Sequence, residues 1–67
     1  MKQVAVKKGL PNLRKIRQDK KLSLGMLSDL SKVRRDLISK LESGQENPEP
    51  HHSRMLARAL GVSPSDL

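Results

Sequence analysis

The chain contains no cysteine, phenylalanine, tyrosine or tryptophan. Without cysteine, no disulfide or thiolate–metal site can brace it. Without aromatic rings, a core must be built from Leu, Ile, Val, Met and Ala, which favours packed helices over an aromatic-rich sheet. No apolar run approaches the roughly 20 residues of a membrane span. Lys2 is not followed by an apolar block, so no secretory signal is read there. The expectation is a soluble, cytoplasmic protein with no membrane partner. At 67 residues the chain is one domain at most, near the lower size at which a single core is self-sufficient. No nucleophile–base pair or carboxylate dyad is visible, and so small a domain leaves little room for a substrate cleft. An enzyme is therefore not expected, and neither is a cofactor. The adjacent His51 and His52 point about 100° apart on a helix and have no Cys or acid to complete a metal site. They are expected to cover a helix start instead.

What the chain does have is positive charge, +7 in all and unevenly spread. Residues 1–22 carry net +7, residues 23–43 net +1 and residues 44–67 net −1. A polarised basic surface calls for a polyanionic partner, nucleic acid first and an anionic membrane second. The scattered Pro and Gly argue against a membrane-active peptide.

The most informative stretch is SLGMLSDLSKVRRDLISKLESG, residues 23–44. It reads as a short helix, a tight turn and a second helix. At roughly 100° per residue, Val33, Leu37, Ile38 and Leu41 gather on one side of the second helix. Arg35, Asp36, Ser39, Lys40 and Ser43 gather on the other. Such a helix can be held by a core while it presents polar groups to the major groove of B-DNA, which is wide enough to admit it.

The remaining segments fall around that unit. Residues 1–11 read as a flexible basic arm. There Val4-Ala5-Val6 could form a short strand, and Lys2, Lys7 and Lys8 could follow phosphates or reach a minor groove; a frayed terminus is the simpler reading. Asn12 is expected to cap a first helix near 12–20, carrying Leu13 and Ile16. Ser23 caps a second helix near 24–31, weakened by Gly25, with Met26, Leu27 and Leu30 as its apolar face. The third helix spans about 34–42 and stops at Gly44. Pro48 and Pro50 keep 45–50 irregular. A fourth helix covers about 51–60, with Leu56, Ala59 and Leu60 on one face and Gly61 ending it. Ser63-Pro64 opens a further helical turn.

The pattern from Leu13 to Leu67 resembles the Cro/C1-type, XRE-like helix-turn-helix family. The residues that carry the likeness are Leu13, Ile16, Arg17, Leu22-Ser23, Leu27, Val33, Arg35, Ile38-Ser39-Lys40-Leu41-Glu42, Gly44, Asn47-Pro48 and the run Leu56 to Ser63. The resemblance implies an all-α fold: a compact bundle of four to five helices of the lambda-repressor-like type, occupying 12–67, with the helix-turn-helix at about 24–42. It implies groove-facing side chains at Arg34, Arg35, Asp36, Ser39 and Lys40. Arg35 is the leading base reader, as a two-pronged donor to guanine. Asp36 can accept from a cytosine amine or orient Arg35, and the second is preferred because a carboxylate near phosphates is disfavoured.

Phosphate contacts are implied at Ser23, Leu24, Ser43, Gln45 and Asn47, the first two through free N–H groups at a helix start. Arg17 and Glu42 occupy positions where the family often forms an ion pair. The chain departs from the family at Leu24 (commonly Gln), Lys32 (commonly a turn Gly), Arg34 (commonly a Ser or Thr cap) and Ser53 (commonly aliphatic). The implied function is a sequence-specific regulator of double-stranded DNA, a repressor acting as a homodimer on a palindromic operator. Leu60, Val62 and Leu67 form the expected dimer face. The alternative is an antitoxin-type module that grips a toxin or other protein, with or without DNA binding.

Overall fold

The computed structural model describes residues 9–67. Four α-helices follow one another: α1 Leu13–Asp19, α2 Leu24–Ser31, α3 Arg35–Ser43 and α4 Pro50–Leu60, then a 3₁₀ turn at Pro64–Asp66. The described residues contain no strand, and none of their helices is long and apolar enough to cross a membrane. The strand considered at 4–6 and the contacts considered for Lys2, Lys7 and Lys8 lie outside the described residues.

Every helix contributes to one aliphatic core. Leu13, Leu27, Ile38, Leu41 and Leu56 have no exposed surface, and Leu10, Val33, Ala57, Leu60 and Leu67 close the cluster around them. Leu37, the remaining member of the α3 seam, is half-buried and packs against that cluster. On α4 the buried alanine is Ala57 rather than Ala59. This helix packs against both α2 and the 3₁₀ turn, which brings Ala57 inside and leaves Ala59 at the rim. Leu60 and Leu67 are core residues, 2% and 5% exposed. They cannot form the dimer face expected of them, since the 3₁₀ turn folds the C-terminal leucine back into the bundle.

The turn between α2 and α3 is held by two serines. Ser23 first caps α2, its Oγ accepting the Met26 N–H at 3.1 Å. Ser28 Oγ then donates to the Val33 carbonyl at 2.6 Å, and the buried Ser31 Oγ accepts the Val33 N–H at 3.2 Å. Both polar groups of Val33 are thus satisfied, and the chain accepts a left-handed Lys32 (φ 65) between them. A non-glycine residue there costs roughly 1 kcal/mol, which the two serine bonds offset. At the head of α4, His52 Nδ1 accepts the Glu49 N–H at 3.4 Å and His51 Nδ1 lies 3.6 Å from Glu49 Oε1.

Asn12 does not cap α1 with its side chain. Its Nδ2 donates to the Asp66 carbonyl at 3.0 Å and its N–H to the Leu67 carbonyl at 3.3 Å, tying the start of α1 to the C-terminal turn. The residues just before α1 also pack on the bundle. Leu10 is buried and its N–H donates to the Leu41 carbonyl at 2.9 Å, while the Gly9 N–H donates to Asn47 Oδ1 at 3.0 Å. Gly9 has φ +63, and a Cβ there would lie 2.1 Å from the Leu41 carbonyl oxygen. The chain therefore enters the bundle by clamping onto the end of α3.

A second clamp joins α1 to α3. Arg17 meets Glu42 through two parallel bonds, Nε to Oε2 at 2.6 Å and Nη2 to Oε1 at 3.1 Å, while Nη1 donates to the Leu22 carbonyl at 2.8 Å. The Glu42 side chain is 2% exposed and that of Arg17 11%. Arg14, much more exposed, adds a longer contact to Glu42 Oε1 at 3.3 Å. Hydrogen bonding to Glu42 raises the Arg17 pKa above its ordinary value, against the opposing effect of burial.

These clamps generate two predictions. Gly9→Ala should cost at least about 2 kcal/mol, since backbone strain and a clash with Leu41 add. Gly61→Ala, at φ +74 with nothing within 4 Å, should cost only about 1 kcal/mol; urea denaturation of the two variants reads the difference. Glu42→Ala should cost about 3 kcal/mol because it strands a mostly buried guanidinium, whereas Arg14→Ala should cost under about 1 kcal/mol. A raised arginine pKa makes its contribution complete below the unfolded-state value and lost only as pH climbs beyond it, so denaturation in neutral buffers should find the Arg17 side of the pair unchanged.

Candidate nucleic-acid interface

The clamps leave one side of α3 free. Ile38 and Leu41 face the core, so residues half a turn away must face solvent. Arg34, Arg35, Asp36, Ser39 and Lys40 are all exposed. Arg35 and Ser39 stand four apart, as do Asp36 and Lys40, so they form two neighbouring ladders. Arg34 precedes the helix in extended conformation, with no side-chain cap bond. It serves as an outward cation in place of the usual capping hydroxyl.

Arg35 leans across to α2. Its Nη1 lies 3.8 Å from where a Cβ on Gly25 would sit, and Ser23 Oγ lies 4.0 Å from the same point. Gly25, which reads from sequence only as a weak helix residue, leaves open the space beside the arginine head. Leu24 and Gly25 are the first residues of α2, and their N–H groups have no acceptor within the helix. The Ser23 hydroxyl is committed to Met26. The guanidinium of Arg35 and the free N–H end of α2 thereby form one continuous donor surface. Leu24 itself is half-buried against the core, so its contribution is backbone alone.

Asp36 does not hold Arg35, for among the described residues it has no ion pair. It lines a shallow cleft with Arg34, Leu37, Lys40 and Glu46. Glu46 escaped the sequence reading because its loop carries no periodicity to assign it a direction. Beyond α3, Ser43 Oγ donates to the Lys40 carbonyl at 3.2 Å and the Gln45 N–H donates to the same carbonyl at 2.9 Å. Both side chains are exposed. Asn47 sits differently from the others: its Oδ1 receives the Gly9 N–H, a bond that ties the loop to the chain entry. Arg17 and Glu42 are turned away from this face, Glu42 pointing from α3 toward α1 with its side chain 2% exposed.

What this surface can do is donate. Three cations and a row of helix N–H groups face outward on two adjoining elements, suited to anionic phosphates and to the acceptor edge of guanine. The helix-turn-helix family model matches residues 13–67. No curated protein and no solved structure gives a match of its own. With that match spanning all four helices and the C-terminal turn, and with α2 and α3 meeting at a tight turn beneath an exposed basic face, the chain belongs to the Cro/C1-type, XRE-like helix-turn-helix family of DNA-binding transcription regulators.

Proposed function

We propose that the protein is a cytoplasmic repressor that reads a pseudo-palindromic operator as a homodimer, laying α3 in the major groove. The observation that carries this reading is the continuity of the α3 face with the free end of α2. Groove contacts and phosphate contacts then belong to one docking event. In it Arg35 reaches base edges, Arg34 and Lys40 flank it, and the α2 N–H groups with Ser43 and Gln45 hold the backbone. Ser39 sets the closeness of approach, being short. Asp36 accepts from a cytosine amine, since it is not engaged with Arg35.

Geometry supports the use of two copies. Nine helical residues span about 14 Å, enough for only a few base pairs at about 3.4 Å each. Discrimination over a genome needs more, and two half-sites about one helical turn apart supply it.

In vitro selection from random duplexes, followed by gel-shift titration, tests the reading. Selected sites should contain two inverted half-sites; a single unpaired half-site would overturn the homodimer. Arg35→Ala should weaken binding to the selected site by ~1–3 kcal/mol and relax preference at one base position. Lys40→Ala, if its contact is to phosphate, should weaken all duplexes alike and lower the salt slope by about one unit. Unchanged binding in both variants would show that α3 is not the reader.

A further inference from the structure

Two large apolar side chains among the described residues stand in solvent: Met26 is 50% exposed and Leu30 58%. They lie four apart on α2 and share one side of it. Beside Leu30 a shallow groove runs between α2 and α4, lined by Leu30, Ser31, Lys32, Met55, Arg58 and Ala59. It has no lining residue in common with the cleft on α3, so a molecule seated here leaves the reading helix uncovered. Exposed apolar side chains with polar groups at their margin mark an interaction surface. Met26 and Met55, the only methionines after Met1, suit such a surface because unbranched thioethers repack around a partner.

The charges decide what fits. Both charged residues of the lining, Lys32 and Arg58, are cations, and Arg54 stands exposed one turn before Arg58. Asp29, the acid of α2, is exposed but does not line the groove. Residues 1–8 of the same chain carry Lys2, Lys7 and Lys8 and no acid, so they would bring like charge to the rim. A second copy docked through a two-fold axis would set its own Lys32 and Arg58 against these, and the chain already carries +7. A helix from another protein with an apolar stripe and flanking carboxylates meets both requirements. Its stripe covers Leu30, Met55 and Ala59, and its acids reach Lys32 and Arg58.

We propose that this groove docks an acidic amphipathic helix of a protein partner, separately from the DNA-reading face. The test uses the full chain, isotopically labelled for NMR, and two synthetic amphipathic peptides sharing one leucine stripe, flanked by Glu in the first and by Lys in the second. The Glu peptide should shift the amides of Leu30, Lys32, Met55 and Arg58, and the Lys peptide should not. Leu30→Ser, which leaves the charge unchanged, should weaken the Glu peptide about tenfold or more, as loss of one buried leucine implies, and Arg58→Glu should weaken it several-fold. Circular dichroism should show both variants folded, and non-specific duplex binding by Leu30→Ser should be undiminished.

Absence of shifts with the Glu peptide, equal shifts with both peptides, or shifts confined to the α3 face would overturn the proposal. So would sedimentation of the unmodified chain as a dimer that Leu30→Ser dissociates, because the groove would then belong to a second copy.

Discussion

Leu41 is where the structure is most constrained. Its side chain is wholly buried, its carbonyl accepts the Leu10 N–H, and Gly9 passes so close to that carbonyl that no side chain fits between. One residue later, Glu42 is gripped by Arg17 and touched by Arg14. The end of α3 is thereby fixed from two directions, by the entering chain and by α1. A helix this short has little stability of its own in water, so its orientation is inherited from those contacts and from the aliphatic seam beneath it.

That inheritance shapes the interface. The reading proposed for α3 asks that its side chains be held to a fraction of an ångström, while its outer face stays free of protein contacts. The chain separates the two demands along the helix. Anchoring is concentrated at Ile38, Leu41 and Glu42, while the start of α3 projects Arg34, Arg35 and Asp36 outward. The buried Arg17–Glu42 pair suits the task because parallel bonds set an angle as well as a distance. Its net stabilisation is small against the cost of drying two charges, while its two bonds set how α3 lies against α1.

The α2–α3 turn shows how a departure from the family pattern is absorbed. Lys32 occupies a left-handed position that glycine fills without strain. Ser28 and Ser31 bond both polar groups of Val33 next to it, holding the turn shut around the strained residue. A further departure is Leu24, which cannot supply the side-chain phosphate contact of a glutamine. The backbone end of α2 and the neighbouring Arg35 remain as donors.

Helix positions, their stops at Gly44 and Gly61, and the outward set on α3 were legible in the sequence, because each is written in local spacing: the period of a helix, a cap, a residue that tolerates a left-handed turn. Apart from the Arg17–Glu42 pair, which the family resemblance implied, features that join distant segments were not. The burial of Leu10, the bond from Gly9 to Asn47, the use of Asn12 to hold the C-terminal turn, and the enclosure of Leu60 and Leu67 link residues tens of positions apart, and no local rule chooses among the many such pairings. The gap that Gly25 leaves for Arg35 and the lack of a bond between Arg35 and Asp36 were not legible either, because each depends on which way a long exposed side chain turns. Sequence alone determined what each helix would offer to its two sides. Only the tertiary structure decided which offers were taken up in the core and which were left facing water, because burial depends on what else arrives at the same place.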